Sequence, residues 1–182
     1  IINNNLSYDK NKKDISHIIL PGVGSFQQGM SSIVKNNLYE VIVNHAKSQK
    51  PILGICLGMQ LLFNYGEEGG QLDKGLNLID GIVKKLKKKN NHKIPHVGWN
   101  DLNIENDHIL LEGFNPEVDF YFVHSYVCIP KNEKNILSKT KYSENFVSVI
   151  CEKNIFGVQF HPEKSSEAGI KILKNFINWD GK

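Results

Sequence analysis

The chain lacks the features that mark secreted, membrane and metal-binding proteins. It has only three cysteines in 182 residues, and their odd number and spacing fit neither a disulfide framework nor a zinc site. No apolar run approaches the ~20 residues that a membrane span requires, and no charged and apolar leader is seen from Ile1 onward. These absences predict a cytoplasmic protein with no cofactor, no metal site and no membrane association.

A strong charge of either sign is also missing. The formal net charge is +3 at pH 7, and the lysines are not interleaved with base-stacking aromatics, so nucleic acid is not an expected partner. The lysine-rich run KKLKKKNNHK at 84–93 is better interpreted as a solvated hairpin tip near Asn90 and Asn91 than as an anion site. With 40% hydrophobic and 23% charged residues, the chain predicts one globular domain over residues 1–182, without repeats.

The first half predicts alternating strands and helices. Apolar runs bounded by glycine-rich turns indicate buried strands, and apolar residues at helical spacing indicate the helices between them. The predicted elements are a strand at 17–20, a helix over 29–48 that is broken near Asn36 and Asn37, a strand at 51–55 and a helix from Cys56 through Phe63. Two such units in succession favour a parallel sheet covered by helices.

The second half is richer in strands, and its alternation of apolar and polar residues favours partly antiparallel pairing. Extended segments are predicted at 78–86, 109–111, 119–129, 146–151 and 155–160. An amphipathic helix over 166–179 closes the chain. The whole pattern predicts an α/β fold.

The motif GICLGMQ at 54–60 is typical of a strand-to-helix turn that exposes a nucleophile. Gly54 and Gly58 lack the Cβ atoms that would clash when the backbone at Cys56 is strained. A thiol with a pKa of ~8.5 becomes a good nucleophile when a helix N-terminus and an imidazole stabilise the thiolate, and Cys56 is expected to have both. Taken alone, the motif leaves a buried structural cysteine open as the alternative.

A second motif, FGVQFHPEKS at 156–165, supplies the partners that such a thiol needs. His161 follows an apolar strand, where side chains emerge above the carboxyl ends of a sheet. Glu163 is placed to accept a hydrogen bond from the imidazole and to fix its tautomer. A lone histidine is more often structural, but in combination Cys56, His161 and Glu163 predict a triad that attacks an amide.

Acyl transfer also requires donors for the developing oxyanion. The Leu57 N–H at the opening of the helix is one candidate. The glycine-rich turn PGVG at 21–24 offers others, because its peptides can approach a substrate closely. An ordinary strand-to-helix turn is the alternative for PGVG on its own.

Five segments, in this order, resemble the class I (triad) glutamine amidotransferases: PGVGSF, GICLGMQLLF, KIPHVGWN, YFVHSYV and GVQFHPEKS. The resemblance implies a flavodoxin-like three-layer α/β fold with a mixed, mostly parallel sheet and helices on both faces. It implies that Cys56 attacks the side-chain amide of glutamine, that His161 shuttles the proton and that Glu163 orients the histidine. Ammonia leaves, and water then hydrolyses the glutamyl thioester to glutamate.

The same resemblance implies further positions around the substrate. Oxyanion donors are implied at Val23, Gly24 and Leu57, and residues that hold the glutamine at Gly22, Gln60, Ser125 and Tyr126. Two of these have structural alternatives, since Gln60 could cap a helix and Tyr126 could be a core aromatic.

KIPHVGWN at 93–100 and YFVHSYV at 121–127 resemble more narrowly the glutaminase subunits of imidazole glycerol phosphate synthase, in histidine biosynthesis. Such subunits form a heterodimer with a (β/α)8-barrel cyclase that receives the ammonia and makes imidazole glycerol phosphate and an aminoimidazole carboxamide ribotide. Interface positions are implied at His96, Trp99, Asn100 and Lys164. Family members also begin with a βα unit that this sequence, polar over 1–16, is expected to lack.

Three alternative functions stay open. A paralogous glutaminase would supply ammonia for amidation of a sugar in bacterial surface-glycan biosynthesis. A non-catalytic partner-binding subunit would keep the fold with an idle triad, which the intact Cys56, His161 and Glu163 disfavour. A cysteine hydrolase acting on peptides or γ-glutamyl conjugates would not need the synthase-facing segment KIPHVGWN.

Overall fold

The computed structural model describes residues 2, 4, 7, 8, 13–89, 92–114 and 118–182. The predicted hairpin tip at Asn90 and Asn91 lies outside the described residues. Much of the stretch 1–16 also lies outside them, so the expected lack of a first βα unit stays a prediction.

Strands outnumber helices among the described residues. The strands are β1 (Ile18–Leu20), β2 (Ile52–Ile55), β3 (Phe63–Gly66), β4 (Asp73–Lys74), β5 (Ile79–Lys85), β6 (His96–Asn100), β7 (Asn103–Ile104), β8 (Phe120–His124), β9 (Tyr126–Pro130), β10 (Ile136–Lys141), β11 (Asn145–Glu152) and β12 (Ile155–Val158). The α-helices are α1 (Phe26–Lys35), α2 (Tyr39–Lys47), α3 (Leu57–Leu61) and α4 (Ser166–Asn178).

The expected break in the first helical segment is confirmed between α1 and α2. The side chain of Ser25 caps α1 by accepting a hydrogen bond from the Gln28 N–H at 3.3 Å. Asn37 then adopts a left-handed backbone, with φ of 55°, a conformation that asparagine tolerates better than most residues. Two asparagines in succession therefore end one helix before the next begins.

The strands form three sheets. The largest has the order β1-β2-β12-β11-β10-β7, the second the order β4-β3-β5-β9, and the third contains β6 and β8. Parallel pairs join β1 to β2, β2 to β12 and β3 to β5, whereas the other described pairs are antiparallel. The mixed sheet is confirmed, but the expected predominance of parallel pairs is wrong. Short turns connect β10, β11 and β12, and only antiparallel neighbours can be joined in that way.

The centre of the largest sheet is buried on both faces. Ile52 and Ile155 pack on one face with side chains of α1, α2 and α3, whereas Leu53 and Phe156 pack on the other with α4. Successive side chains of a strand point to opposite faces, so both central strands read as continuous apolar runs. Helices on both faces of the sheet make the three-layer α/β arrangement.

Strands β6 and β8 form a two-stranded ribbon with unlike faces. Across the ribbon His96 pairs with His124, and Trp99 pairs with Tyr121. The side chain of His96 is 2% exposed, whereas Val97 and Trp99 are 55% and 51% exposed. The ribbon therefore has a buried face and an exposed apolar face.

Several local predictions differ from the structure. Residues Ile109–Leu111 form a 3-10 turn instead of a strand, since a short apolar run does not distinguish the two. The helix after Cys56 ends at Leu61, because β3 begins at Phe63. The extended segment 119–129 is two strands, which separate at Ser125 where the chain passes from one sheet to another. Strands β3, β4, β6, β7 and β10 were not predicted.

No helix among the described residues is both long enough and apolar enough to cross a membrane.

Candidate active site

Cys56 lies in a sharp turn between β2 and α3. Its backbone has φ of 52° and ψ of −109°, a region that costs a non-glycine residue about 1–3 kcal/mol. The Cys56 N–H donates to the carbonyl of Val158 at 2.8 Å, and the Cys56 carbonyl accepts from the Gln60 N–H at 3.2 Å. The parallel neighbour β12 and the first turn of α3 thus hold the strained residue.

The two glycines of the motif allow this turn to pack closely. A Cβ atom at Gly58 would lie 1.7 Å from the carbonyl oxygen of Leu20. A Cβ atom at Gly54 would lie 2.7 Å from the backbone N of Met59. The predicted steric reason for both glycines is confirmed.

His161 follows β12 and is oriented by Glu163. Its Nδ1 lies 2.7 Å from Glu163 Oε1, within a 3-10 turn over Pro162–Lys164. The His161 N–H donates to the carbonyl of Tyr121 at 2.8 Å, and the side chain is only 3% exposed. Because the carboxylate accepts a hydrogen bond from Nδ1–H, Nε2 is left as the basic nitrogen, and it has no hydrogen-bond partner within the described residues.

Cys56 and His161 line the same cavity of about 280 Å³. Its other lining residues are Val23, Gly24, Leu57, Gln60, Glu68, Pro95, Val123, His124, Ser125 and Tyr126. A more open cleft of about 870 Å³ lies beside α1 and β4, but its described lining contains neither cysteine nor histidine. The smaller cavity is therefore the candidate active site.

Burial has the largest effect on the pKa of the Cys56 thiol. It raises the pKa of Cys56 to about 11, and the Leu57 N–H and the Gln159 side chain, both hydrogen-bonded to the sulfur, offset it only in part. The Sγ atom lies 3.8 Å from the carbonyl oxygen of Val123, an acceptor for the thiol proton. The helix N-terminus expected beside Cys56 is present and lowers the pKa, but this five-residue helix does not compensate for desolvation of the sulfur.

The arrangement can be compared with known proteins. Residues 1–179 match the family described as glutamine amidotransferase class-I. The chain belongs to the class I glutamine amidotransferase family.

The relatives and solved structures agree with this assignment. The chain is 46% identical over 159 residues to imidazole glycerol phosphate synthase subunit HisH of Moorella thermoacetica, covering 87% of this chain and 74% of the relative. It is 44% identical over 171 residues to subunit HisH 1 of Campylobacter jejuni, covering 92% and 84%. A solved glutamine amidotransferase matches with a TM-score of 0.69 at 13% identity, covering 96% of this chain and 84% of that structure, which supports the fold alone.

Most predicted oxyanion and glutamine-binding positions of the amidotransferase lie at the cavity. Val23 and Gly24 line it, as do Ser125 and Tyr126. Gly22 does not line it, because this residue packs under the turn, where a Cβ atom would lie 3.0 Å from the Cβ of Leu57. The role of Gly22 as a substrate contact is therefore not supported.

Gln60 also lies at the cavity, and it is buried instead of capping a helix. Its Nε2 donates to the Tyr126 carbonyl at 3.1 Å and to Gln159 Oε1 at 3.2 Å. The amide thus joins the helix after the nucleophile to the segment after β8.

Two residues at the amidotransferase site were missed by the sequence analysis. Glu68 brings a carboxylate to the cavity and accepts a hydrogen bond from the Phe26 N–H. Gln159 places its amide 3.7 Å from the Cys56 sulfur. The pair of glutamates in GEEGG, shortly after the motif, was a usable signal for Glu68, whereas nothing local distinguished Gln159.

The predicted interface positions separate into buried and exposed residues. His96 is wrong as a surface residue, because its ring is buried against Tyr142 and Phe122. Trp99 is half exposed, and Lys164 is exposed with its Nζ 5.5 Å from the centroid of the Tyr121 ring. The remaining position, Asn100, is partly buried and donates to the Lys141 carbonyl.

No group of three or more His, Cys, Asp or Glu side chains within the described ranges is arranged to hold a metal ion.

The raised pKa of Cys56 predicts its alkylation profile. Below the pKa of about 11 the sulfur is mostly protonated, so carboxamidomethylation by iodoacetamide should be slow at neutral pH and should accelerate up to about pH 10. The rate is measured by peptide mass spectrometry, with Cys56→Ser as the control for modification of Cys128 and Cys151. An alkylation rate that levels off below about pH 8 would show a stabilised thiolate and would contradict the raised pKa of Cys56.

Proposed function

We propose that this chain is the glutaminase subunit of a cytoplasmic imidazole glycerol phosphate synthase. It hydrolyses L-glutamine to glutamate and ammonia and passes the ammonia to a (β/α)8-barrel cyclase subunit. The observation that carries the proposal is that Cys56 and His161 line one cavity and that Glu163 is hydrogen-bonded to the histidine. The pathway is supported by the names of relatives that are 40–46% identical to the chain.

The proposed chemistry follows from two features: Cys56 holds a thiol proton, and Nε2 of His161 is free to accept it. As Cys56 Sγ attacks the amide carbon of glutamine, His161 Nε2 accepts the thiol proton and then gives it to the leaving ammonia. Glu163 stabilises the imidazolium that forms between these two transfers. Water then attacks the glutamyl thioester, with His161 as the base, and releases glutamate and the thiol.

The thiol form of Cys56 suits this sequence. A protonated, buried sulfur is unreactive until a substrate carbonyl is present to receive the developing charge. The Leu57 N–H already contacts the sulfur, and Val23 and Gly24 face the same space. These peptides are the proposed donors to the oxyanion.

Recognition of glutamine is assigned to polar groups at the other walls of the cavity. The Glu68 carboxylate is suited to the α-ammonium group, because opposite charges pair strongly in a partly desolvated site. Gln60, Ser125 and Tyr126 are suited to the remaining polar atoms of the amino acid. A cavity of about 280 Å³ accommodates one amino acid, which favours glutamine over a peptide substrate.

We assign the barrel partner to an exposed surface, the docking face, made of Val97, Trp99, Tyr121 and Lys164. Val97 pairs across the ribbon with Val123, which lines the cavity. The Trp99 and Tyr121 rings are 5.8 Å apart, and the Tyr121 ring lies 6.5 Å from that of His161. An exposed apolar face at the edge of the site is suited to a partner that receives the product.

Removal of the triad side chains should stop or slow the hydrolysis of glutamine. With the barrel subunit present, Cys56→Ala should abolish glutamate release, and Glu163→Gln should lower kcat roughly 10²–10⁴-fold, because an amide favours the wrong imidazole tautomer. Turnover is followed by an enzyme-coupled glutamate assay, with the exposed Glu167→Gln as a matched control. Unchanged turnover in Cys56→Ala would remove the sulfur from the mechanism.

Loss of Trp99 should weaken the complex without altering the fold. We expect Trp99→Ala to raise the Kd for the barrel subunit about 30-fold, the scale of an aromatic hot spot, as measured by calorimetry. Ile109→Ala, at a similarly exposed apolar residue outside the docking face, should leave the Kd unchanged. Equal effects of the two substitutions would argue against this face as the interface.

A further inference from the structure

A line of hydrogen bonds leads away from the sulfur of Cys56. The Gln159 Nε2 donates to the sulfur at 3.7 Å. The Gln60 Nε2 donates to Gln159 Oε1 at 3.2 Å and to the Tyr126 carbonyl at 3.1 Å. Two buried amides therefore link the nucleophile to one backbone carbonyl of the cavity wall.

Two histidines extend this line to strand β6. His124 Nδ1 lies 3.0 Å from the Tyr126 carbonyl oxygen, and His96 Nδ1 lies 3.1 Å from His124 Nε2. A carbonyl oxygen only accepts hydrogen bonds, so His124 carries its proton on Nδ1 and accepts at Nε2. His96 must then donate from its own Nδ1.

The surroundings keep both imidazoles neutral, as this arrangement requires. Burial lowers the pKa of His124 to about 3 and that of His96 to about 4. The His96 ring stacks on Tyr142 at 4.0 Å and on Phe122 at 5.1 Å. These contacts leave the two rings little freedom to exchange partners.

We propose that His96 and His124 are positioning residues of the glutaminase site, whose paired Nδ1–H groups hold the Tyr126 carbonyl and, through Gln60 and Gln159, the amide at the reacting sulfur. The proposal rests on the proposed function, because it concerns how Cys56 meets glutamine. His96 acts only through His124.

The carbonyl of Tyr126 is a sensitive point of the cavity. Ser125 and Tyr126 both line the cavity where the chain leaves β8 for β9. The carbonyl accepts one bond from Gln60 and one from His124. If the histidine bond is lost, the Tyr126 carbonyl keeps the side-chain hydrogen bond from Gln60, and the Gln60 amide loses the group that holds its acceptor in place.

His96 of the positioning pair lies on β6, a strand that contributes to the proposed docking face. Val97 and Trp99 on β6 point outward, whereas His96 on the same strand points inward to His124. Strand β6 therefore carries two residues of the docking face and also the donor at the far end of the line of hydrogen bonds.

Two substitutions at His96 separate positioning from packing. His96→Phe keeps a ring that can stack on Tyr142 but removes the donor, whereas His96→Asn removes the ring but keeps an N–H near the place of Nδ1. With the barrel subunit present, we expect His96→Phe to lower kcat/KM for glutamine about tenfold, the usual effect of one lost buried hydrogen bond. His96→Asn should keep most of the wild-type kcat/KM while lowering the thermal midpoint.

The reverse order, with His96→Phe near wild type and His96→Asn impaired in kcat/KM, would overturn the proposal. So would an unchanged kcat/KM in both variants. A wild-type complex that releases no glutamate would contradict the proposed function instead, and a measurement without turnover distinguishes the two failures. Nitrogen-15 histidine spectra of the wild-type chain should show neutral Nδ1–H tautomers at His96 and His124, and an Nε2–H tautomer at either would overturn the proposal.

Discussion

The left-handed backbone of Cys56 is a strained conformation that the rest of the structure must hold. The Val158 carbonyl of β12 accepts a hydrogen bond from the Cys56 N–H, and the Gln60 N–H of α3 donates one to the Cys56 carbonyl. Neither contact would form if Gly54 and Gly58 carried side chains, because their Cβ atoms would overlap the backbone of Met59 and Leu20. Strands β1, β2 and β12 and the helix α3 therefore meet at this turn, and the same strand β12 leads on to His161.

Local patterns predicted the elements that hold this turn. The strand before Cys56, the break at Asn36 and Asn37 and the closing helix follow from apolar periodicity and turn residues, and each was confirmed. The place of β12 beside β2 was not predictable in this way, since the two strands are distant in sequence and their pairing depends on the whole fold. The sequence also gave no sign that residues 109–111 would form a 3-10 turn, because a short apolar run fits either structure.

At the candidate site, too, local motifs predicted some features, whereas others depend on the whole fold. Cys56, His161 and Glu163 could be predicted from two short motifs, since the steric need for glycines and the short His-to-Glu interval are local. The raised pKa of Cys56 was not predicted, because burial depends on the whole fold and here outweighs the helix N-terminus. His96 was misplaced for a related reason: its strand has one buried and one exposed face, and the motif does not say which residues occupy each.

The central claim is that the sulfur of Cys56 forms the covalent intermediate of glutamine hydrolysis. The most direct test is acid quenching of the complex with its barrel subunit during turnover of glutamine, followed by peptide mass spectrometry. The account predicts one glutamyl group on the peptide that contains Cys56, lost on treatment with hydroxylamine as a thioester would be. Steady glutamate release with the glutamyl group on another residue, or with no adduct under conditions that trap thioesters, would contradict it.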